Sequence, residues 1–220
     1  MKAGFLYVKD YMTKENKSSN SGKNVIFAVF RQACYFFVII AEVFLLSFLA
    51  SVYHEKTFAE NFVVERIQLG LLILSAIAFL LQGIFTKGRG HLMYIFSGIC
   101  AFAAMRECDK FFDEALPMIS WKIAYVFPLA GIIYGLMHKD LLKNQIIEFL
   151  KTPAFNMMCM VMIIVVPIAQ CVGHRPFVKN VLGDMGVANI KEFFEECLET
   201  IGYTILLLSA VESYFVGKKK

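Results

Sequence analysis

Six stretches of this chain are long and apolar enough to cross a bilayer, and no other feature narrows the fold as much. They run over about 33–53, 64–86, 91–111, 121–138, 154–173 and 196–216. A bilayer core takes about 20 mostly apolar residues per helix. Backbone N–H and C=O groups find no water there and must pair within the helix. Composition points the same way: of 220 residues, 58% are hydrophobic and 18% are charged, with a mean hydropathy of +0.61. A soluble domain is nearer half apolar and a quarter charged. The sequence therefore predicts an all-α polytopic membrane bundle of six transmembrane helices. The same figures argue against disorder and against a disulfide-stapled secreted fold. The formal charge of +4 needs no nucleic acid, because lysines at the inner face lie beside anionic lipid.

Six spans place both termini on one side, and Lys and Arg decide which. Of the 22 basic residues, 14 fall on the side of the termini, including the Lys87–Arg89 turn and the Lys218–Lys219–Lys220 tail. The expectation is that the N and C termini are cytoplasmic. Twelve of the 18 acidic residues fall on the opposite side. Acids contribute little to orientation, so their distribution needs a separate cause.

Residues 1–24 read as a polar cytoplasmic lead, with Phe5, Leu6, Val8, Tyr11 and Met12 able to rest on the membrane surface. They lack the short apolar core and cleavage site of a signal peptide, so no processing is expected. Residues 25–217 form the transmembrane domain. Within it, residues 139–152 read as an interfacial helix, with Leu142, Ile146, Phe149 and Leu150 at helical spacing. Residues 174–190 form the outer loop and residues 218–220 a basic tail. Gly131 and Gly135 make a G-x-x-x-G pair suited to close packing inside the bundle. Pro128 and Pro167 are expected to kink their helices.

The acids concentrate where the apolar runs fall short. Helix 3 is apolar only from Leu92 to Met105, and helix 6 only from Thr200 to Val211. Each must extend through charged residues to span, which puts Arg106, Glu107 and Asp109 at the outer boundary with Glu195, Glu196 and Glu199. Helix 2 brings Glu65 and Gln68 to the same level. Arg106, Asp109 and Asp113 share one helix face, as do Glu196, Glu199 and Tyr203. Charges at membrane depth cost a few kcal/mol each, so they face inward and pair. Arg106 can take a carboxylate bidentately. One arginine does not neutralise so many carboxylates. Lys110 and Arg66 can share that charge, some carboxylates can be protonated, or a cation can bind, with Asp109, Glu196 and Glu199 the candidate metal ligands. A structural ion-pair network that fixes helix register accounts for the same residues without a ligand.

From Glu60 to Tyr214 the chain resembles a family of bacterial multi-pass inner-membrane proteins of uncharacterised activity. The matching pattern comprises Glu60 and Glu65 at helix 2 and an R-E-x-D closing helix 3 (Arg106, Glu107, Asp109). It continues with Trp121 opening helix 4 and an E-E-x-x-E followed by Gly-Tyr at helix 6 (Glu195, Glu196, Glu199, Gly202, Tyr203). Phe62 stands where that pattern often has glycine. The resemblance implies a bacterial inner-membrane location and supplies no activity.

Glu42, midway along helix 1, reads as a proton-carrying or gating group, or as a protonated acid bonded to a neighbouring helix. The four histidines form two depth pairs, His54 with His174 and His91 with His138, at helix ends. That position argues against haem. The six cysteines form no C-x-x-C. Cys108 and Cys197 can be joined across the acidic motifs, although packing is the simpler role. No Walker loop, G-x-S-x-G or H-E-x-x-H occurs.

Three functions follow. The first is an outward-facing carboxylate and arginine site that binds a cation or small polar ligand, in transport. The second is a metal-dependent membrane enzyme acting on a lipid-linked substrate at the outer leaflet. The third is a structural subunit of a membrane complex. Besides the bilayer, the partners these imply are further copies of the chain or a membrane-complex protein.

Overall fold

A computed structural model describes residues 2–53, 63–86, 88, 90–108, 121–174, 176 and 187–217. For residues 2–24, 121, 173, 187–191 and 217 the backbone alone is described. Every described element is helical. Helix α1 covers Lys2–Tyr53, α2 Val63–Phe85, α3 Gly90–Arg106 and α4 Val126–Met137. Then come α5 over Lys139–Phe149, α6 over Pro153–Ile163, α7 over Gln170–Gly173 and α8 over Val187–Gly217. A 3₁₀ turn, Trp121–Tyr125, leads into α4, and a π segment, Ile164–Ala169, joins α6 to α7.

Among the described residues, three helices are long and apolar enough to cross a membrane: Val25–Tyr53, Val63–Phe85 and Pro153–Val172. The apolar part of α1 begins at Val25, eight residues ahead of the sequence expectation, and helix continues back to Lys2. Lys122–Met137, which takes in most of the 3₁₀ turn, is apolar but shorter. Helix α3 has 17 residues, about 25 Å at 1.5 Å per residue, against about 30 Å for a bilayer core.

The chain divides into two compact units, one up to Phe44 and one from Leu45. The first is a stretch of α1 with an apolar surface, Ile26, Phe30, Phe37 and Phe44 among its exposed residues. In it Arg31 stacks over the Phe27 ring at 5.6 Å, one turn away.

In the second unit α3 packs on α2 and α4, while α8 packs on α2, α6 and the π segment. Small residues set these contacts. A Cβ on Gly98 would lie 2.6 Å from the Phe127 carbonyl oxygen. One on Gly131 would lie 3.0 Å from Ile95 Cα. The G-x-x-x-G pair therefore packs α4 on α3, inside the unit. Hydroxyls and amides tie helix to helix. Ser97 donates to the Ala76 carbonyl at 2.8 Å, Ser209 to Ala154 at 2.9 Å and Gln82 to Ala210 at 2.9 Å. Gln145 on α5 accepts the Leu92 N–H at 3.0 Å, satisfying a donor that the first turn of α3 leaves open.

Pro128 is the third residue of α4, directly after the 3₁₀ turn. Pro167 sits in the π segment, where the wider turn absorbs the missing donor. On α5, Leu142 and Phe149 are buried, but Ile146 and Leu150 are exposed, and Gln145 takes their place in the core.

Candidate functional site

The polar cluster lies where α2, the end of α3 and α8 meet. Gln68 is fully buried on α2. Its Nε2 donates to Glu196 Oε2 at 2.7 Å, to Thr200 Oγ1 at 3.1 Å and to the Glu196 carbonyl at 3.2 Å. Thr200 donates back to that carbonyl at 2.6 Å. Gln68 Oε1 is buried and has no hydrogen-bond partner. A buried acceptor without a donor costs about 1–3 kcal/mol.

A second set of contacts joins α3 to α8. Helix α3 ends at Arg106 and the chain closes with a turn, Glu107 N–H donating to Ala103 at 3.1 Å and Cys108 N–H to Met105 at 3.2 Å. That turn aims the Glu107 carboxylate at α8, where the Tyr203 hydroxyl donates to its Oε1 at 2.9 Å. Arg106 places Nη2 3.5 Å from Glu107 Oε1 and 3.8 Å from Glu199 Oε1. Glu199 and Tyr203 are buried, whereas the Arg106 side chain is 47% exposed. Glu65 and Glu195 are close enough to act electrostatically on Glu199.

The structure thus brings Gln68, Arg106, Glu107, Glu196, Glu199 and Tyr203 into one cluster, with Glu65 and Glu195 at its edge. Asp109 and Asp113 lie outside the described residues, as do Glu60 and His54. Glu42 belongs to the other unit, where it is partly buried on α1. Among the described residues, no three His, Cys, Asp or Glu side chains are placed to hold a metal ion. No disulfide joins Cys108 to Cys197.

Two members of the cluster escape a reading based on charge. Thr200 is the partner of Gln68. Gln170, the first residue after the π segment, donates to Glu199 Oε1 at 3.4 Å. Both are uncharged, and the available signal was a lone amide or hydroxyl at the outer end of an apolar run.

A cavity of about 870 Å³ runs beside the cluster, between α3, α6 and α8, and down to α5. Leu72, Phe96, Phe149, Met158 and Leu206 are among its apolar walls. Arg106 and Tyr203 line its polar end. Exposed lining residues, Ile99, Leu150, Met162 and Val166 among them, mark an open side.

At the opposite end of α3 a second polar group forms. The His91 ring stacks on Tyr134, with centroids 5.1 Å apart, and lies 4.6 Å from the His138 ring. Gln145 Nε2 is 3.1 Å from His91 Nδ1. Because Gln145 Oε1 already accepts from Leu92, Nε2 donates, and His91 is the tautomer protonated at Nε2. His138 Nδ1 lies 3.1 Å from the Tyr134 carbonyl oxygen.

Comparison of the chain with protein-family models, curated proteins and solved structures gives no match.

Proposed function

We propose that this chain is a multi-pass protein of the bacterial inner membrane, with six spans and cytoplasmic termini. Its outer end carries a site for a cation or small polar ligand, in a transport role. Location follows from the resemblance carried by the R-E-x-D and E-E-x-x-E motifs. Orientation follows from the basic residues. Three helices are long and apolar enough to span. In this reading α3, α4 with its 3₁₀ turn, and α8 complete the six.

One observation carries the site. Arg106 reaches Glu107 and Glu199, Glu196 is bonded to a buried glutamine whose Oε1 lacks a donor, and Glu65 acts electrostatically on Glu199 from α2. A network built only to fix register satisfies its buried polar atoms. In this reading a cationic ligand sits beside the carboxylates. The metal-dependent enzyme is the second reading, favoured by the cavity beside the cluster, although the described residues do not form a metal site.

Thermal unfolding of the purified protein with a series of monovalent, divalent and organic cations tests the proposal. At 100 times Kd a ligand adds about 2.7 kcal/mol of stability. At least one cation is expected to raise the Tm of the wild type and to leave Glu199→Gln and Glu107→Gln unmoved. If every cation shifts the variants as much as the wild type, the carboxylates are structural and the site reading fails.

A further inference from the structure

We propose that α5, which closes the end of the cavity away from the polar cluster, is latched to α3 by Gln145 while His91 is neutral and is released when His91 takes a proton. This device is independent of the cation-site reading.

Ile146 and Phe149 on α5, and Leu150 just after it, line that end of the cavity with Leu92 of α3. Leu142 and Phe149 hold α5 by apolar packing, the Phe149 ring 5.1 Å from that of Phe96. Gln145, buried between them, spends both ends of its amide on α3. Its Oε1 accepts the Leu92 N–H at 3.0 Å, and its Nε2 donates to His91 Nδ1 at 3.1 Å. The bridge needs an acceptor at Nδ1, and only the neutral ring offers one. A proton there turns the acceptor into a donor and sets N–H against N–H. Turning the amide over gives His91 its acceptor but sets Nε2 against the Leu92 N–H, a first-turn donor with no helical acceptor. Neither amide orientation preserves both contacts. A buried polar group left unpaired costs about 1–3 kcal/mol. Swinging α5 away lets water pair with these groups instead.

His138 acts in the same direction. It ends α4 and starts α5, and its ring lies 4.6 Å from that of His91. Its Nδ1 is 3.1 Å from the Tyr134 carbonyl oxygen, which accepts from the neutral ring protonated at Nδ1 and from the imidazolium alike. His138 therefore takes a proton without losing that contact. Two imidazolium ions so close repel across the boundary between α3 and α5. Tyr134, stacked on His91 at 5.1 Å, is uncharged near neutral pH. Among the described residues these two are the titratable groups in contact with the His91 ring, and α5 meets it with the neutral Gln145. Lys87 and Arg89, just ahead of α3, lie outside the described residues. Imidazole ordinarily titrates near about pH 6.5. The latch is whole above that range and is lost as the pH falls through it.

Hydrogen–deuterium exchange of the full chain in lipid nanodiscs tests this, at about pH 8 and about pH 5.5, on either side of the imidazole range. Exposure times are scaled to the intrinsic exchange rate at each pH. Peptides of α5 in the wild type are expected to exchange about tenfold faster at the lower pH, the factor that about 1.4 kcal/mol of lost contact gives. Peptides of α2 stay unchanged. His91→Asn offers an amide oxygen near the place of Nδ1 and does not titrate, so it keeps α5 protected at both pH values. Gln145→Leu removes the bridge and leaves α5 fast at both. A wild type whose α5 exchanges alike at the two pH values overturns the proposal. So does a pH dependence that survives His91→Asn, one that His138→Gln alone abolishes, or an α5 that stays protected at both pH values in Gln145→Leu.

Discussion

Tyr203 and Gln68 show how these helices offset the burial of a polar donor. Each is buried and each spends its donor on a carboxylate. Hydrogen bonds to charged groups contribute about 1.5–3 kcal/mol, about twice a neutral one. Tyr203→Phe keeps the ring and removes one donor, so it is expected to lower unfolding stability by about 1.5–3 kcal/mol. Glu107→Gln in the same background should add less than it does alone, since the pair is already broken. Additive losses in that double-mutant cycle, read by thermal unfolding in detergent, would show that the 2.9 Å contact couples nothing. The expectation that a charge at membrane depth needs a partner singled out Arg106, Glu107, Glu196 and Glu199 in the sequence. Thr200 and Gln170 stayed hidden. A hydroxyl or amide in an apolar run is cheap enough to occur without a role, and only the fold pairs them with Gln68 and Glu199.

At the scale of the element, the contrast between two glycines measures what packing demands. On α3, a Cβ at Gly98 meets the Phe127 carbonyl at 2.6 Å and its carbon at 2.9 Å, both backbone atoms that cannot turn aside. On α2, a Cβ at Gly70 meets nothing within 4 Å. Gly98→Ala is expected to force α3 from α4 and to cost about 1–3 kcal/mol. Gly70→Ala should leave stability unchanged or raise it by up to about 1 kcal/mol, since alanine is the better helix former. Thermal unfolding of the two variants side by side decides this. Equal effects would mean that the α3–α4 contact is not tightly packed. Apolar runs made these helices legible, and residue spacing placed Gly131 and Gly135 on one face. The proline effects were only half legible. Both prolines lie in apolar runs, but the sequence does not say that α4 starts so close to Pro128 or that a π turn absorbs Pro167.

For the whole molecule, the number of crossings is the quantity on which orientation and site both depend. Three helices satisfy the length of a span outright, and the rest are short or carry charges at an end. Length alone therefore leaves the topology open where the sequence pattern fills it in. The argument for six comes from the ends of those helices. Arg106 closes α3 after 17 residues, and Glu196 and Glu199 stand on α8 just ahead of the apolar turns that follow Thr200. The contacts of Arg106 with Glu107 and Glu199 put these ends at one level. If α2, α3 and α8 all cross, the cluster lies at one membrane face, and the Lys87–Arg89 turn and the Lys218–Lys220 tail lie at the other. Basic residues favour the cytoplasm for that second face. Reporter fusions in a bacterial host then have a fixed expected pattern. A fluorescent protein fused after Lys220 should fluoresce, and alkaline phosphatase at the same point should be inactive. Phosphatase inserted within residues 109–120 should be active. An active phosphatase after Lys220 would mean an odd number of crossings after the N-terminal side or inverted termini. Inactive phosphatase within 109–120 would place the carboxylate cluster on the cytoplasmic face, where it would draw on cytosolic cations.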